Sequence, residues 1–405
     1  MMLPLDEARR RILEPLSVLP AVDVPFVDAL GHVLAESIVA DGDIPPWANS
    51  SMDGFAVRAD DLAHATGDAP ARLRVVGDLP AGRAPSRPVG TGEAIRIMTG
   101  APMPPGADAV AIVETTRMDG DHVLVDSPVR PGANIRRAGE DVADGSTVLP
   151  AGHLVRAADV GLLASLGQTR VRVIRKPVVA VLSSGDELVP PDQLPAPGQI
   201  RDSNRFTLIA HLAGLGFKAI DCGHAPDRES ELESLFRKGV ASADVVVSTG
   251  GVSVGDHDLT RIVLARLGTM EFWRVAMRPG KPLAFGFIGG KPVFGLPGNP
   301  VSSLVVLDQV VRPALRHMAG QARLDREVWS AVLSEPIRRT PGRTEFLRAV
   351  IEWRDGQFRA KTTGPQGSGV LSSLSRANGL LIIPADVSEL PAGARVPCQL
   401  FLEEI

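Results

Sequence analysis

The chain contains no tyrosine, and aromatic residues make up only 4% of its 405 positions. Lysine is scarce as well: 37 of the 43 basic residues are arginine, so both biases read as mutational rather than chemical. Cys222 and Cys398 are the only cysteines, too few and too far apart for a disulfide frame or a cysteine metal cluster, which fits a reducing compartment. No apolar run approaches the roughly 20 residues needed to span a bilayer. The opening segment MMLPLDEARRRILEPL carries acids and has no apolar stretch of the kind a secretory signal needs. Basic and acidic residues nearly balance, 43 against 47, so no nucleic-acid or membrane field is implied. There is no G-x-S-x-G, no Ser-His-Asp order, no H-E-x-x-H and no G-x-G-x-x-G. Gly250 and Gly255 have the spacing of a P-loop start, but Asp256 stands where its lysine belongs. What remains is a multidomain cytoplasmic protein whose chemistry comes from positioned charges and a metal, not from a protein nucleophile.

The texture changes along the chain. Residues 41–140 are dense in Pro and Gly, with short strand-like runs (LRVVGDL, EAIRIMT, DAVAIVET, HVLVDSP) parted by turn clusters. This all-β block is flanked by short helical stretches near Leu5–Leu16 and Ala157–Leu166, which suggests an insertion into a split N-terminal domain, 1–40 and 141–170. From Val171 strands and helices alternate: PVVAVL, a helix over Ser203–Leu215 stopped by Gly216, FKAIDCG, a helix over Glu229–Val240, ADVVVSTGG, and a helix over Leu259–Leu267. Repeated βα units predict a doubly wound, parallel-rich α/β domain over 171–326, with ligands at the carboxyl ends of its strands. Asn299-Pro300 opens a further long helix. From 327 to 405 short strands return, predicting a small β-barrel or sandwich.

Three strand-end loops of the α/β block carry the functional signal: Ser183–Glu187, Thr249–Ser253 and Gly295–Pro300. Apolar strands that open onto small residues and bare backbone N–H groups are suited to phosphates and other oxyanions, although each loop alone is also an ordinary βα turn. Asp256 and Asp258, with Glu187 and Asp227 at other strand ends, are candidates for Mg²⁺, which takes hard oxygens from one or two carboxylates, phosphates and water. Asp258 equally suits the N-cap of the next helix, and His257 between them reads as a loop residue. Arg274, Arg278 and Lys281 flank an Arg-Pro-Gly-Lys-Pro turn between two apolar strands, a place for an oxyanion or else a solvated face. In the β block, the segments Asn49–Val57, Arg96–Ala101 and Asn134–Asp141 are irregular, polar and punctuated by acids.

Eight segments in order, SSMDGFAV, RIMTGAP, NIRRAGEDV, SSGDEL, STGGVSVGDHD, RPGKP, GLPGNPVSS and TPGRTEF, resemble those of the molybdopterin molybdenumtransferases, the MoeA family, whose animal relative is the C-terminal part of gephyrin. The resemblance covers nearly the whole chain. It implies a four-part architecture, in which the split N-terminal part serves linkage and dimerisation and the α/β part binds molybdopterin. It also implies an elongated homodimer, with the active-site cleft between the β unit of one subunit and the α/β and C-terminal domains of the other. The implied reaction inserts molybdate into adenylylated molybdopterin with Mg²⁺ and releases AMP. The substrate brings its own pyrophosphate and dithiolene sulfurs, which accounts for glycine loops, basic residues and the lack of cysteine ligands.

Carried over residue by residue, Asp53, Thr99 and Asp141 face the cleft from the β unit, with Glu187, Asp227 and Asp258 as the acidic members of the α/β side. Asp53, Asp141, Glu187, Asp227 and Asp258 are the expected catalytic acids, with Glu187 or Asp258 holding the metal. Substrate contacts are expected from Thr99, Ser184, Gly185, Thr249, Gly250, Gly251, Ser253, Arg274, Arg278, Lys281, Pro297, Gly298, Asn299 and Pro300. Arg274 and Arg278 stand where many relatives carry lysine, and Phe55 replaces a common tyrosine. Three other readings compete: the preceding adenylyltransferase, which shares the Thr-Gly-Gly type of α/β domain, a scaffold of the gephyrin type, and a non-catalytic molybdopterin-binding relative, for which loss of the acids Asp53, Asp141, Glu187, Asp227 and Asp258 is expected, whereas all five are present. The first does not account for the Asp53 and Asp141 segments or for the C-terminal β domain. The second predicts an appended domain or a long linker, which these 405 residues lack. Hand-over of the substrate from that adenylyltransferase is a further expectation.

Overall fold

The computed structural model describes residues 2–250 and 259–401. Its centre is a six-stranded sheet in the α/β part. The chain runs through β1 (Val178–Ser184), α1 (Asn204–Gly214), β2 (Lys218–Ala225), α2 (Glu229–Ser242), β3 (Val245–Thr249), α3 (Leu259–Leu267), β4 (Thr269–Arg274), β5 (Pro282–Ile288) and β6 (Lys291–Leu296). In space the strands lie β2-β1-β3-β6-β5-β4. The first four are parallel, β5 runs against them, and β4, antiparallel to β5, again runs with the first four. The order reverses at β1, so the crevice of the topological switch opens between the carboxyl ends of β1 and β3.

Both faces are covered, which is why the strands read as unbroken Val/Ala/Leu runs rather than alternating ones. On one face Leu232, Leu235 and Phe236 of α2 and Val263 and Leu264 of α3 pack on Ala180, Leu182 and Val246. On the other, Leu208 and Leu212 of α1 join the residues of a helix over 300–318 against Val179, Val181, Val245 and Val247. That helix runs as Pro300–Val306, a π-helical stretch Leu307–Val311, and Arg312–Met318. The N-terminal helix Leu5–Leu13 packs here too, through Ala8 and Ile12.

Segments 21–39 and 147–174 pair with one another, Ala21–Pro25 with Arg170–Ile174 and Ile38–Val39 with Thr147–Leu149, around a core of Leu34, Ile38, Leu149, Leu163 and Val173. The chain between them forms a separate six-stranded sheet with a small core on each face. Beyond residue 328, strands Thr344–Arg354, Gln357–Thr362, Trp329–Leu333, Arg395–Leu400 and Gly379–Ile383 pair in that order. The last returns to the first, closing a five-stranded barrel. Met277–Arg278, leaving β4, adds in parallel to Thr344–Glu345 of this barrel. The α/β sheet and the barrel are thus stitched by backbone hydrogen bonds.

Deeper in the same joint lies a buried charge cluster. Asp308, on the π-helical stretch, is 1% exposed and accepts hydrogen bonds from Arg326 (Nε 2.9 Å, Nη2 2.8 Å) and Gln309 (2.8 Å), with His211 Nε2 at 3.4 Å and Arg312 Nε at 3.6 Å. Arg326 also donates to the carbonyls of Leu400 and Phe401 at the end of the barrel. Burial pushes the Asp308 carboxyl up, but the hydrogen bonds from His211 and Arg326 and the two guanidinium charges outweigh it and hold it well below the usual carboxylate range.

Candidate active site

The strand-end loops meet as the crevice rule predicts. Gly250 has φ +94°, and a Cβ there would lie 2.4 Å from the Ser184 carbonyl oxygen, so only glycine lets the β3 loop pass the end of β1. The Thr249 hydroxyl donates to the Pro297 carbonyl at 3.3 Å, and Asn204 Nδ2 donates to both Thr249 Oγ1 (3.0 Å) and the Gly298 carbonyl (2.6 Å). Asn204 opens α1 and ties β3 to the loop after β6. Ser184 Oγ contacts Thr260 Oγ1 at 3.2 Å, both buried. Gly298 and Asn299 are exposed beside this cluster, with Pro297 buried and Pro300 half-buried at the start of the long helix. Asn299 occupies the N-cap position without a side-chain capping bond. The barrel loop reaches the same helix start, where Val301 N–H donates to the Ser368 carbonyl at 3.1 Å.

On the other side of β1, Glu187 folds back over Gly185: a Cβ at Gly185 would lie 2.3 Å from Glu187 Oε2. Glu187 and Asp227 are exposed, and the Asp227 N–H donates to Asp186 Oδ1 at 3.0 Å. Asp186 thus joins the acidic edge, although only its place in SSGDEL pointed to it. Gly251, Ser253, Asp256, His257 and Asp258 lie outside the described residues. Among the described residues no cluster of three or more His, Cys, Asp or Glu is arranged around a metal position.

The basic turn lies at this same edge of the sheet. Arg274 is opposite Pro282, and Ala284 opposite Gly295, so the β4–β5 turn and the β6 loop emerge together. Arg274, Arg278 and Lys281 are all exposed. Gly280 (φ +104°) packs so closely that a Cβ would sit 2.4 Å from Val306 Cγ2, which pins the turn to the long helix. A fourth cation comes from the barrel. Arg348 is 1% exposed, with Nε donating to Ser373 Oγ at 3.0 Å and Nη2 to the Gly367 carbonyl at 3.1 Å. Burial lowers its pKa to about 10, offset in part by the charge of Glu345, so it remains a cation. Sequence reasoning missed it, since a single arginine within a largely buried strand carries no motif.

The β unit supplies a second group. Asp53 Oδ1 accepts from Thr99 N–H (2.7 Å) and Thr99 Oγ1 (2.8 Å), and these bonds, the backbone one foremost, hold its carboxyl below the usual range. Asp141 lines a cleft of about 480 Å³ with Ile44, Pro45, Asn49, Arg136 and Glu140. Asn49 is 6% exposed, and its Oδ1 has no hydrogen-bond partner. Among the described residues Asp53 and Asp141 bond within the β unit and its neck (Asp141 N–H to the Ile44 carbonyl, 3.0 Å).

A parallel-rich sheet whose switch-point loops, helix start and basic turn share one edge defines a doubly wound α/β protein with an edge chemically suited to anionic ligands. The comparisons with known proteins narrow this class. The chain matches the MoeA N-terminal region (domains I and II) over residues 3–167, a probable molybdopterin binding domain over 180–317 and the MoeA C-terminal region (domain IV) over 330–401. It is 37% identical over 404 residues to a molybdopterin molybdenumtransferase of Haemophilus influenzae, covering 99% of both chains. It is 38% identical over 397 residues to molybdopterin molybdenumtransferase 2 of Mycobacterium tuberculosis, covering 96% of this chain and 98% of that one. A solved molybdopterin biosynthesis MoeA protein of Pyrococcus horikoshii superposes with a TM-score of 0.83 at 33% identity, covering 99% of this chain and 100% of the other. The chain therefore belongs to the MoeA family of molybdopterin molybdenumtransferases.

Proposed function

We propose that this chain is a transferase of molybdenum cofactor biosynthesis, which inserts molybdate into adenylylated molybdopterin and releases AMP. The observation that carries the reading is end-to-end identity of 37–38% with proteins named for that activity. The geometry supports it. The loops at Ser184–Gly185, Thr249–Gly250 and Pro297–Pro300 offer backbone groups and a helix start to a pyrophosphate. Arg274, Arg278 and Lys281 offer positive charge to a tetrahedral dianion at the same sheet edge. In the reaction the substrate's dithiolene sulfurs displace oxygen from molybdate, which leaves as water with the thiol protons, and a water molecule adds to phosphorus as the P–O–P bridge breaks, so that AMP departs and the pterin keeps its own phosphate. The protein's part is to hold the two anions together and offset their repulsion.

Mg²⁺ belongs to this reading. Glu187 and Asp227 fit it as exposed hard-oxygen donors at adjacent strand ends, and Asp258 would join them; one or two carboxylates suffice when phosphates complete the shell. When bound, the ion would neutralise pyrophosphate charge. Asp53, Thr99 and Asp141 enter as residues of a second copy, because their hydrogen bonds leave them facing out of their own β unit. A homodimer with the cleft between subunits is therefore part of the proposal, with a cytoplasmic setting and hand-over from an adenylyltransferase. Among the described residues no helix is long and apolar enough to cross a membrane. An adenylyltransferase itself would leave the β unit and barrel without a role, and nothing on these units favours a scaffold.

The test is turnover of purified protein with adenylylated molybdopterin, Mg²⁺ and molybdate. AMP release that requires molybdate, with a product that activates an apo-molybdoenzyme, is the expected result. Substrate binding without AMP release under any oxyanion would overturn the transferase reading.

A further inference from the structure

Glu345 is a carboxylate inside the joint between the α/β unit and the barrel, 5% exposed. Two guanidiniums flank it, Arg278 Nε at 3.3 Å from Oε1 and Arg339 Nε at 3.2 Å from Oε2. They differ in kind. Arg339 is buried and spends its nitrogens on the carbonyls of Thr340, Arg343, Ile383 and Pro384, so it is a fixed counter-charge. Arg278 has half its side chain exposed, on the turn with Lys281. Its backbone is paired with that of Glu345, which fixes the distance between the two side chains. Three residues further along the strand, Arg348 feels the same carboxylate electrostatically. Three guanidiniums around one carboxylate leave a surplus of positive charge suited to a dianion.

We infer that Glu345 is a positioning residue for the oxyanion: it engages Nε of Arg278, turns the terminal nitrogens toward the cleft, and makes arginine rather than lysine the residue required at position 278. The inference rests on the oxyanion-binding reading of Arg278 given above. An arginine can spend Nε on a carboxylate and still present a two-nitrogen fork to an oxyanion. A lysine has one nitrogen, which Glu345 would draw into the joint and neutralise. Glu345 Oε2 is buried and, beyond its ion pair with Arg339, makes no hydrogen bond, a costly arrangement that an apolar side chain would avoid if packing were the only demand.

The experiment is a double-mutant cycle on the full chain: wild type, Glu345→Gln, Arg278→Lys and the pair. Molybdate is varied at saturating adenylylated molybdopterin, and binding of molybdate alone is measured by calorimetry. In each variant the thermal midpoint reports folding. Glu345→Gln is expected to raise the molybdate KM about tenfold with kcat within about twofold, the pattern of lost ground-state binding. Arg278→Lys is expected to cost about tenfold or more when Glu345 is present, but less than about threefold in the Glu345→Gln background, because the competing carboxylate is gone. If Glu345→Gln does not fold, Glu345→Asp, which keeps the charge on a shorter arm, takes its place and is expected to fall between the two. Equal costs of Arg278→Lys in both backgrounds, or an unchanged molybdate KM, would overturn the Glu345 assignment while wild-type turnover leaves the functional reading intact. Wild-type protein that neither binds molybdate nor releases AMP would overturn both.

Discussion

Replacing Asp308 by alanine is expected to loosen the protein at the joint between its α/β unit and its barrel. The carboxylate is buried, and three hydrogen bonds of 2.8–2.9 Å from Arg326 and Gln309 end on it. Arg312 and Arg326 are themselves 1% and 5% exposed, so its loss removes an anionic partner from two buried guanidiniums. Removing one partner of a buried ion pair costs about 3–5 kcal/mol, against the ~0–1 kcal/mol of a surface pair. With a urea slope of about 1–3 kcal/mol per molar, the unfolding midpoint should fall by roughly 1–5 M. Trp273 in the α/β unit and Trp329 and Trp353 in the barrel report this transition, once Trp47 in the β unit is changed to Phe in both proteins. The pH dependence follows from the depressed Asp308 pKa. Such a group contributes fully above the carboxylate pKa of the unfolded chain, and its contribution is lost as pH falls toward the native value. The gap between wild type and Asp308→Asn should therefore be constant from about pH 6 to 8 and narrow only below about pH 4. A loss under about 1 kcal/mol at pH 7 would mean that the cluster behaves like surface charge, and the reasoning fails.

Other outcomes are equally specific. Gly250→Ala forces a Cβ against the Ser184 carbonyl at a positive φ, so it should cost about 1–3 kcal/mol of local strain and lower turnover; wild-type kinetics would show that the loop relaxes freely. Thr99→Val removes one donor to Asp53 and should move the acid limb of the pH–rate profile upward toward the ordinary carboxylate range; an unmoved limb would exclude Asp53 as its source. Mixing Asp53→Ala with Glu187→Ala subunits, each inactive alone, should restore about a quarter of wild-type activity, because half of the randomly mixed dimers carry one intact cleft. No recovery would argue for a cleft within one chain. Cys398, whose thiol burial pushes up to about 11, and buried Cys222 should resist a thiol reagent at pH 8 until the protein unfolds; rapid labelling of the native protein would contradict their burial.

Much of the fold was written in local pattern. The helix expected over Leu259–Leu267 has those bounds, and Ser203–Leu215 and Glu229–Val240 appear as Asn204–Gly214 and Glu229–Ser242, because apolar spacing and a terminal glycine mark a helix without help from elsewhere. The short helix Leu371–Arg376 and the closing strand Arg395–Leu400 escaped notice, lacking a clear period or a turn signal. The strand-end glycine loops were legible because close backbone approach leaves glycine no substitute. Asp308, Arg348 and Glu345 were not: each looks like a surface charge in an ordinary helix or strand. Their settings are made by distant segments: Arg326 links Asp308 to the carbonyls of Leu400 and Phe401, and Glu345 meets Arg278. Only barrel closure and the Met277–Arg278 crossover bring these charges indoors.

That crossover also decides which part of the molecule is left to move. Strand pairing, the Asp308 cluster and the Val301–Ser368 bond join the α/β sheet and barrel into a single lever that carries the basic turn. The β unit hangs instead from a two-strand neck, where Ile44 bridges Val142. One half of the molecule is thus braced at several points, and the other is joined to it through the neck.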